Sequence, residues 1–179
     1  MATKSVLDRA TTNTELDGVS ADIGLLIIRV VFGALLAVHG TQKLFGWFWG
    51  PGWDANAQGF DFMGYNPGKF FGTLAGLSEI TGGVLLAIGL FTPLAGAIVL
   101  GTMINAINAT WGPGLFGQNG WETPLLFAVV GTGFAFTGAG RFSLDHGRPW
   151  QRQGFVVGAA MVVLGVVAAV VTLVFKWVL

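Results

Sequence analysis

Five stretches of this chain carry almost no charge over a length that suits a lipid bilayer. They run about Ile23–Phe45, Phe70–Leu90, Pro93–Thr110, Thr123–Thr137 and Phe155–Leu179. Apolar runs of roughly 18 to 25 residues are read as membrane-crossing helices. The fourth is short and needs extension at both ends. The pattern predicts an all-α, polytopic membrane protein. Its parts are a polar tail over 1–20, an antiparallel four-helix transmembrane bundle over 21–154, and a fifth, C-terminal transmembrane helix over 155–179.

Each run also carries a stripe of small residues. Positions spaced 0, 4, 7 and 11 share one narrow face of a helix. They read Arg29, Gly33, Leu36, Gly40 in the first run, with Lys43 continuing the line, and Gly72, Gly76, Glu79, Gly83 in the second. The third has Gly101, Asn105, Asn108, Gly112, the fourth Glu122, Leu126, Val129, Gly133, and the fifth Gly154, Gly158, Met161, Gly165. Small residues let helix backbones approach closely in lipid. The polar residues share these stripes, so they are expected to face the bundle interior. The fifth stripe has no polar group and reads as a peripheral packing helix.

Glu79 carries the most information. A carboxylate inside a membrane costs about 3 kcal/mol or more unless it is paired, protonated or facing a cavity. Depth follows from a rise of about 1.5 Å per residue. It places His39, Glu79, Asn105, Asn108 and Glu122 in the outer half of one bundle, with Arg29 deeper and Lys43 capping the cluster. Glu79 is expected to pair with Arg29 or to hydrogen-bond to His39 in a polar pocket. The alternatives are structural. Arg29 and Lys43 could snorkel to the interfaces, His39 could be a satisfied core histidine, and the asparagines could be interhelical glue. Glu122 could be only a helix start, and the Glu79 pair could serve helix register alone. No spacing supports a His39/Glu79/Glu122 metal site.

Loop charges set the orientation. Lys4, Arg9, Arg141, Arg148 and Arg152 fall on one side, against Lys43, Lys69 and Lys176 on the other. The chain is therefore expected in the cell inner (plasma) membrane, with its N-terminus cytoplasmic, its C-terminus outside and its first helix an uncleaved anchor. The outer loops are aromatic: Trp47, Trp49, Trp53, Phe60, Phe62 and Tyr65 in the first, Trp111, Phe116 and Trp121 in the second. They read either as an interfacial belt or as a folded cap over a site that opens outward.

Composition narrows the chemistry. The net charge is +0, which leaves no basic footprint for nucleic acid. There is no cysteine, which excludes a disulfide, a thiolate metal ligand and thiol chemistry by this chain itself. The two histidines, His39 and His146, do not fall where a bis-histidine haem would need them. No phosphate loop, zinc spacing or nucleophile–base pair is present. No self-contained catalytic constellation follows.

The stretches LLIIRVVFGALLAVHGTQKLFG, FFGTLAGLSEITGGVLLAIGLFTPLAG, NAINA and GAGRFSLDH, in that order over about Leu25 to His146, resemble the DoxX family. The resemblance implies a four-helix membrane core and association with membrane redox systems, either a thiosulfate:quinone oxidoreductase or an oxidative-stress complex. Implied partners are a superoxide dismutase, a sulfurtransferase or a respiratory-chain oxidase. By position, Arg29, His39, Lys43 and Glu79 match the family's polar motif. The fifth helix and the long aromatic loop depart from a plain member. The leading expectation is a redox-complex membrane subunit whose polar pocket (His39, Lys43, Glu79, Asn105, Asn108 and Arg29) contacts a quinone, with no intrinsic cofactor. The alternative is a non-catalytic accessory or assembly subunit of a respiratory complex. A small transporter has less support, because no inverted repeat or broken helix is evident.

Overall fold

The computed structural model describes the backbone of residues 2–179 and the side chains of residues 16–179. It is all-helical among the described residues. The order is α1 (Ala2–Phe45), a 3-10 turn (Trp47–Trp49), α2 (Gly52–Phe62), α3 (Gly68–Ile88), α4 (Thr92–Ala109), α5 (Glu122–Thr137) and α6 (Phe155–Val178). Leu16–Phe45 of α1, α3, α4 and α6 are long and apolar enough to cross a membrane. α5 has 16 residues, about 24 Å at a helical rise, and is shorter than the others. The polar tail expected over 1–20 lies mostly outside the described side chains; its backbone continues α1.

Successive long helices run in opposite directions. One end of the bundle gathers the 47–49 turn, α2, the loop over 110–121 and the end of α6. The other gathers the α3–α4 turn and the loop over 138–154. α3 packs between α1 and α4, and α5 and α6 pack on α4.

Glycine sets the closest contacts. A Cβ on Gly33 would lie 2.6 Å from Ala87 N and Gly83 O, and one on Gly40 would lie 2.6 Å from Gly76 O. A Cβ on Gly83 would lie 2.6 Å from Ala37 N. The first two stripes therefore meet backbone to backbone. α4 meets α6 where a Cβ on Gly101 would lie 2.9 Å from Gly165 O, and α5 where one on Gly96 would lie 2.4 Å from Gly131 O. Hydrocarbon offers little drive for helices to associate, so such close van der Waals packing supplies much of the attraction.

The stripe on the fourth run does not face inward. Leu126 and Val129 are exposed and Gly133 has open space around it. α5 instead buries Phe127, Ala128, Gly131, Phe134 and Ala135. Phe127 joins Leu36, Val99 and Met103 in one apolar cluster, and Phe134 joins Leu86 and Ala95 in another. The face bearing the bulky aromatics won over the face bearing Glu122 and Gly133.

Candidate functional site

The glycine contacts between α1 and α3 fix their register. Gly33 sits opposite Gly83 and Ala87, and Gly40 opposite Gly76 and Ile80. Glu79 is then level with the segment from Ala37 to Thr41. Side chains on a helix lean toward its N-terminus. Because the two helices are antiparallel, Lys43 leans into the bundle and Glu79 leans toward Lys43. Lys43 Nζ donates to both carboxylate oxygens of Glu79, at 2.7 and 2.9 Å. Glu79 is 5% exposed, while the Lys43 side chain keeps 26% exposure.

The pair lies on the wall of a cavity of about 440 Å³. That is within the range of about 300–1,000 Å³ for small-molecule sites. α1 contributes Leu36, His39 and Lys43, and α3 contributes Phe71, Leu74, Ser78 and Glu79. α4 lines it from Ala97 to Thr110, and Thr123, Pro124 and Phe127 close it from α5. Most of this wall is hydrocarbon, with the ion pair and His39 concentrated on one side. The His39 ring stands edge-on to Phe127 with centroids 6.1 Å apart.

The α2–α3 corner roofs the cavity. α2 is a folded element that packs on α3 and α1, and Phe60, Met63 and Tyr65 face the cavity. Tyr65 is 2% exposed, and its hydroxyl lies 3.0 Å from Asn105 O and 3.1 Å from Asn108 Oδ1. Burial pushes the Tyr65 phenol up to about 12, so it stays a donor. Lys176 of α6 donates to Asn108 Oδ1 at 2.9 Å and stands 4.1 Å from the Tyr65 ring centroid. Asn105 Nδ2 reaches Gly101 O at 3.1 Å and Ala169 O at 3.4 Å.

A second polar cluster occupies the opposite end. Arg29, 2% exposed, donates through Nη1 to Ala87 O and through Nη2 to Phe142 O. Asp145 accepts from Phe91 N at 2.8 Å, Thr92 N at 2.9 Å, Thr92 Oγ1 at 2.8 Å and Trp150 Nε1 at 3.1 Å. It thereby satisfies free N–H groups at the start of α4. Gly89 makes this closure possible. Its φ is 67°, and a Cβ there would lie 2.5 Å from Ser143 Cβ.

These positions correct several expectations. Glu79 pairs with Lys43, not with Arg29. Counting rise per residue ignored the lean of side chains, which draws Lys43 and Glu79 together and sends Arg29 the other way. Lys43 accordingly does not leave the bundle as a free interfacial cation. Arg29 binds backbone carbonyls at the far end and is not in the cavity lining. Asn108 stands behind Tyr65, outside the lining, whereas His39, Lys43, Glu79 and Asn105 do line the cavity. Glu122 stays at the start of α5, away from that group. α6 is more than peripheral packing, since Ala168 and Thr172 line the cavity and Lys176 braces its roof. Asp145 and Lys176 were not foreseen as partners; the GAGRFSLDH stretch and a lysine ending an apolar run were their only signals. Among the described residues, no three His, Asp or Glu side chains are grouped to hold a metal ion.

Comparison with known proteins adds two findings. The DoxX family model matches residues 24–111. The chain is also similar to "Putative oxidoreductase CatD" of Bacillus subtilis (strain 168), at 30% identity over 126 residues, covering 70% of this chain and 87% of that one. No solved structure is a significant match.

Proposed function

Since the chain belongs to the DoxX family, we propose that it is a membrane subunit of a redox complex whose cavity receives a quinone headgroup. One observation carries this reading: a cavity of about 440 Å³ with apolar walls and its ion pair and imidazole on one side. Such a distribution suits a flat, uncharged ring with polar oxygens. Quinone carbonyls accept hydrogen bonds. Lys43 has a third N–H beyond the two given to Glu79, and His39 can offer another. Glu79 can accept from the hydroxyl of the reduced ring. The Bacillus relative bears an oxidoreductase name, which supports redox chemistry for this chain.

The chain's own residues would bind the ring, orient it and exchange protons with it. A redox partner would donate electrons to the ring, or a respiratory oxidase would take them from the reduced ring; a dismutase or sulfurtransferase would associate with the complex without being the electron donor. Arg141, Arg148 and Arg152 in the loop over 138–154 support placing that end in the cytoplasm and the α2 end outside the plasma membrane. The test is titration of purified protein with a tailless naphthoquinone, followed by tryptophan fluorescence and thermal unfolding. Saturable quenching that is lost in Glu79→Gln is expected. No response in either signal would remove the quinone from the proposal.

A second reading is an accessory or assembly subunit. It is favoured by the aromatic surface at the α2 end, where Trp49 is 100% exposed, Phe62 94% and Phe116 80%. Such a surface could seat a partner protein. Recovery of a respiratory complex with wild-type protein, and its loss from a Trp49→Ala/Phe62→Ala variant that still binds quinone, would favour this reading.

A further inference from the structure

The cavity continues beyond the polar pair. Ile98, Thr102, Asn105 and Ala109 all line it, and their spacing puts them on one stripe of α4. This stripe lies between the face where Gly101 meets Gly165 of α6 and the face where Ile98 and Val99 meet Gly82 of α3. α3 and α6 both pack on α4 without packing extensively on each other. The result is a trough with α4 as its floor. Leu74 and Ser78 form one wall and Ala168 and Thr172 the other. Leu74 is 39% exposed and Ala168 is also exposed, so the trough opens sideways, on the face a bilayer would cover. From Ala97 to Thr110 the lining extends about 20 Å along α4, more than a ring headgroup fills.

We infer that the ligand is a long-chain membrane lipid, whose head lies against Lys43 and Glu79 and whose hydrocarbon tail leaves sideways through the α3–α6 trough. The inference rests on the proposed headgroup site and adds the route and the tail. The continuity of one cavity from a buried ion pair to an apolar lateral opening argues for it. A water-borne solute would gain nothing from the apolar trough, whereas a tail already in the bilayer enters without leaving hydrocarbon. α6 lies outside the segment matched by the family model and supplies one wall.

The test fills the trough from its lipid side. Ala168→Phe adds bulk at an exposed position, and Thr172→Leu adds less from the same wall. Protein in phospholipid nanodiscs is titrated with a tailless naphthoquinone and with one bearing a long isoprenoid chain. Thermal unfolding checks that each variant is folded. Ala168→Phe should weaken the tailed quinone about tenfold, as expected for excluding about two methylenes, and weaken the tailless one, which has no tail to exclude, far less. Equal affinities for the tailed quinone in wild type and both variants would overturn the trough but spare the headgroup site. If neither quinone binds, native mass spectrometry decides. A long-chain lipid held by wild type and lost from Ala168→Phe would support the trough and refute the quinone. No retained lipid would refute both.

Discussion

Arg29 and Lys43 sit on one face of α1, about 21 Å apart, and meet opposite fates. Arg29 is bound by two backbone carbonyls, and nearby Asp145 is bound by two backbone N–H groups, a hydroxyl and an indole. These are the ends of helices and loops, so the cluster is part of the chain's path. Lys43 is bound by one side chain, Glu79, beside a cavity. A charge held by the backbone has nothing to exchange with. A charge held by a single carboxylate at a cavity wall can trade that partner for a ligand.

The sharpest way to break the contrast is Asp145→Ala. It strands the buried N–H and hydroxyl of Thr92 and the N–H of Phe91, and should cost about 3 kcal/mol of stability. Thermal unfolding in detergent should show the loss, while the folded fraction still responds to quinone. Gly83→Leu attacks the seam that both clusters share. Its side chain would meet α1 backbone, and about 2 kcal/mol of destabilisation is expected in the same assay.

Glu79→Gln comes next, at about 1.5 kcal/mol, below the range for a fully buried pair because Lys43 retains access to solvent. Adding Lys43→Met should restore most of this stability without restoring the quinone response. If the double variant binds quinone like wild type, the pair is architecture, as at the other end.

Tyr65→Phe should cost about 1 kcal/mol for the lost hydrogen bond, and the residue permits a further check. Tyr65 is the single tyrosine of the chain, so tyrosinate absorbance reports it alone. Its folded pKa of about 12 lies above the ordinary value of about 10. The folded form therefore holds the proton more tightly. Its contribution to stability is complete below pH ~10 and falls as pH rises toward ~12. The difference between wild type and Tyr65→Phe should follow that window. Smallest is Lys176→Met, about 0.5 kcal/mol for a half-exposed brace. Thermal unfolding in detergent should show this small loss.

The helices were legible because their signal is local: long apolar runs, and glycines repeated on the faces that meet. The glycine faces of the first two runs could be read as contact faces from spacing alone, but not that Gly33 would meet Gly83. The same rule failed on α5, where Phe127 and Phe134 outweigh Gly133. On α6 the glycines do pack, Gly165 against Gly101 of α4, but the helix's contribution to the site comes from Ala168, Thr172 and Lys176, which no stripe marked. His39, Lys43, Glu79 and Asn105 were found together because buried polar residues are few in such a chain. Their pairing was not legible, since it depends on the lean of two antiparallel side chains and on a register set by glycine contacts. Asp145 lies in a loop, where no periodicity marks a residue that will close onto α4.

The Arg29 anchor also bears on how the chain is made. Arg29 enters the membrane early in synthesis, yet its two acceptors lie 58 and 113 residues further along. Until Phe142 has emerged from the ribosome, the guanidinium lacks one of its final carbonyl partners. Closure of this anchor therefore follows translation of the 138–145 segment, after most of the core has been made.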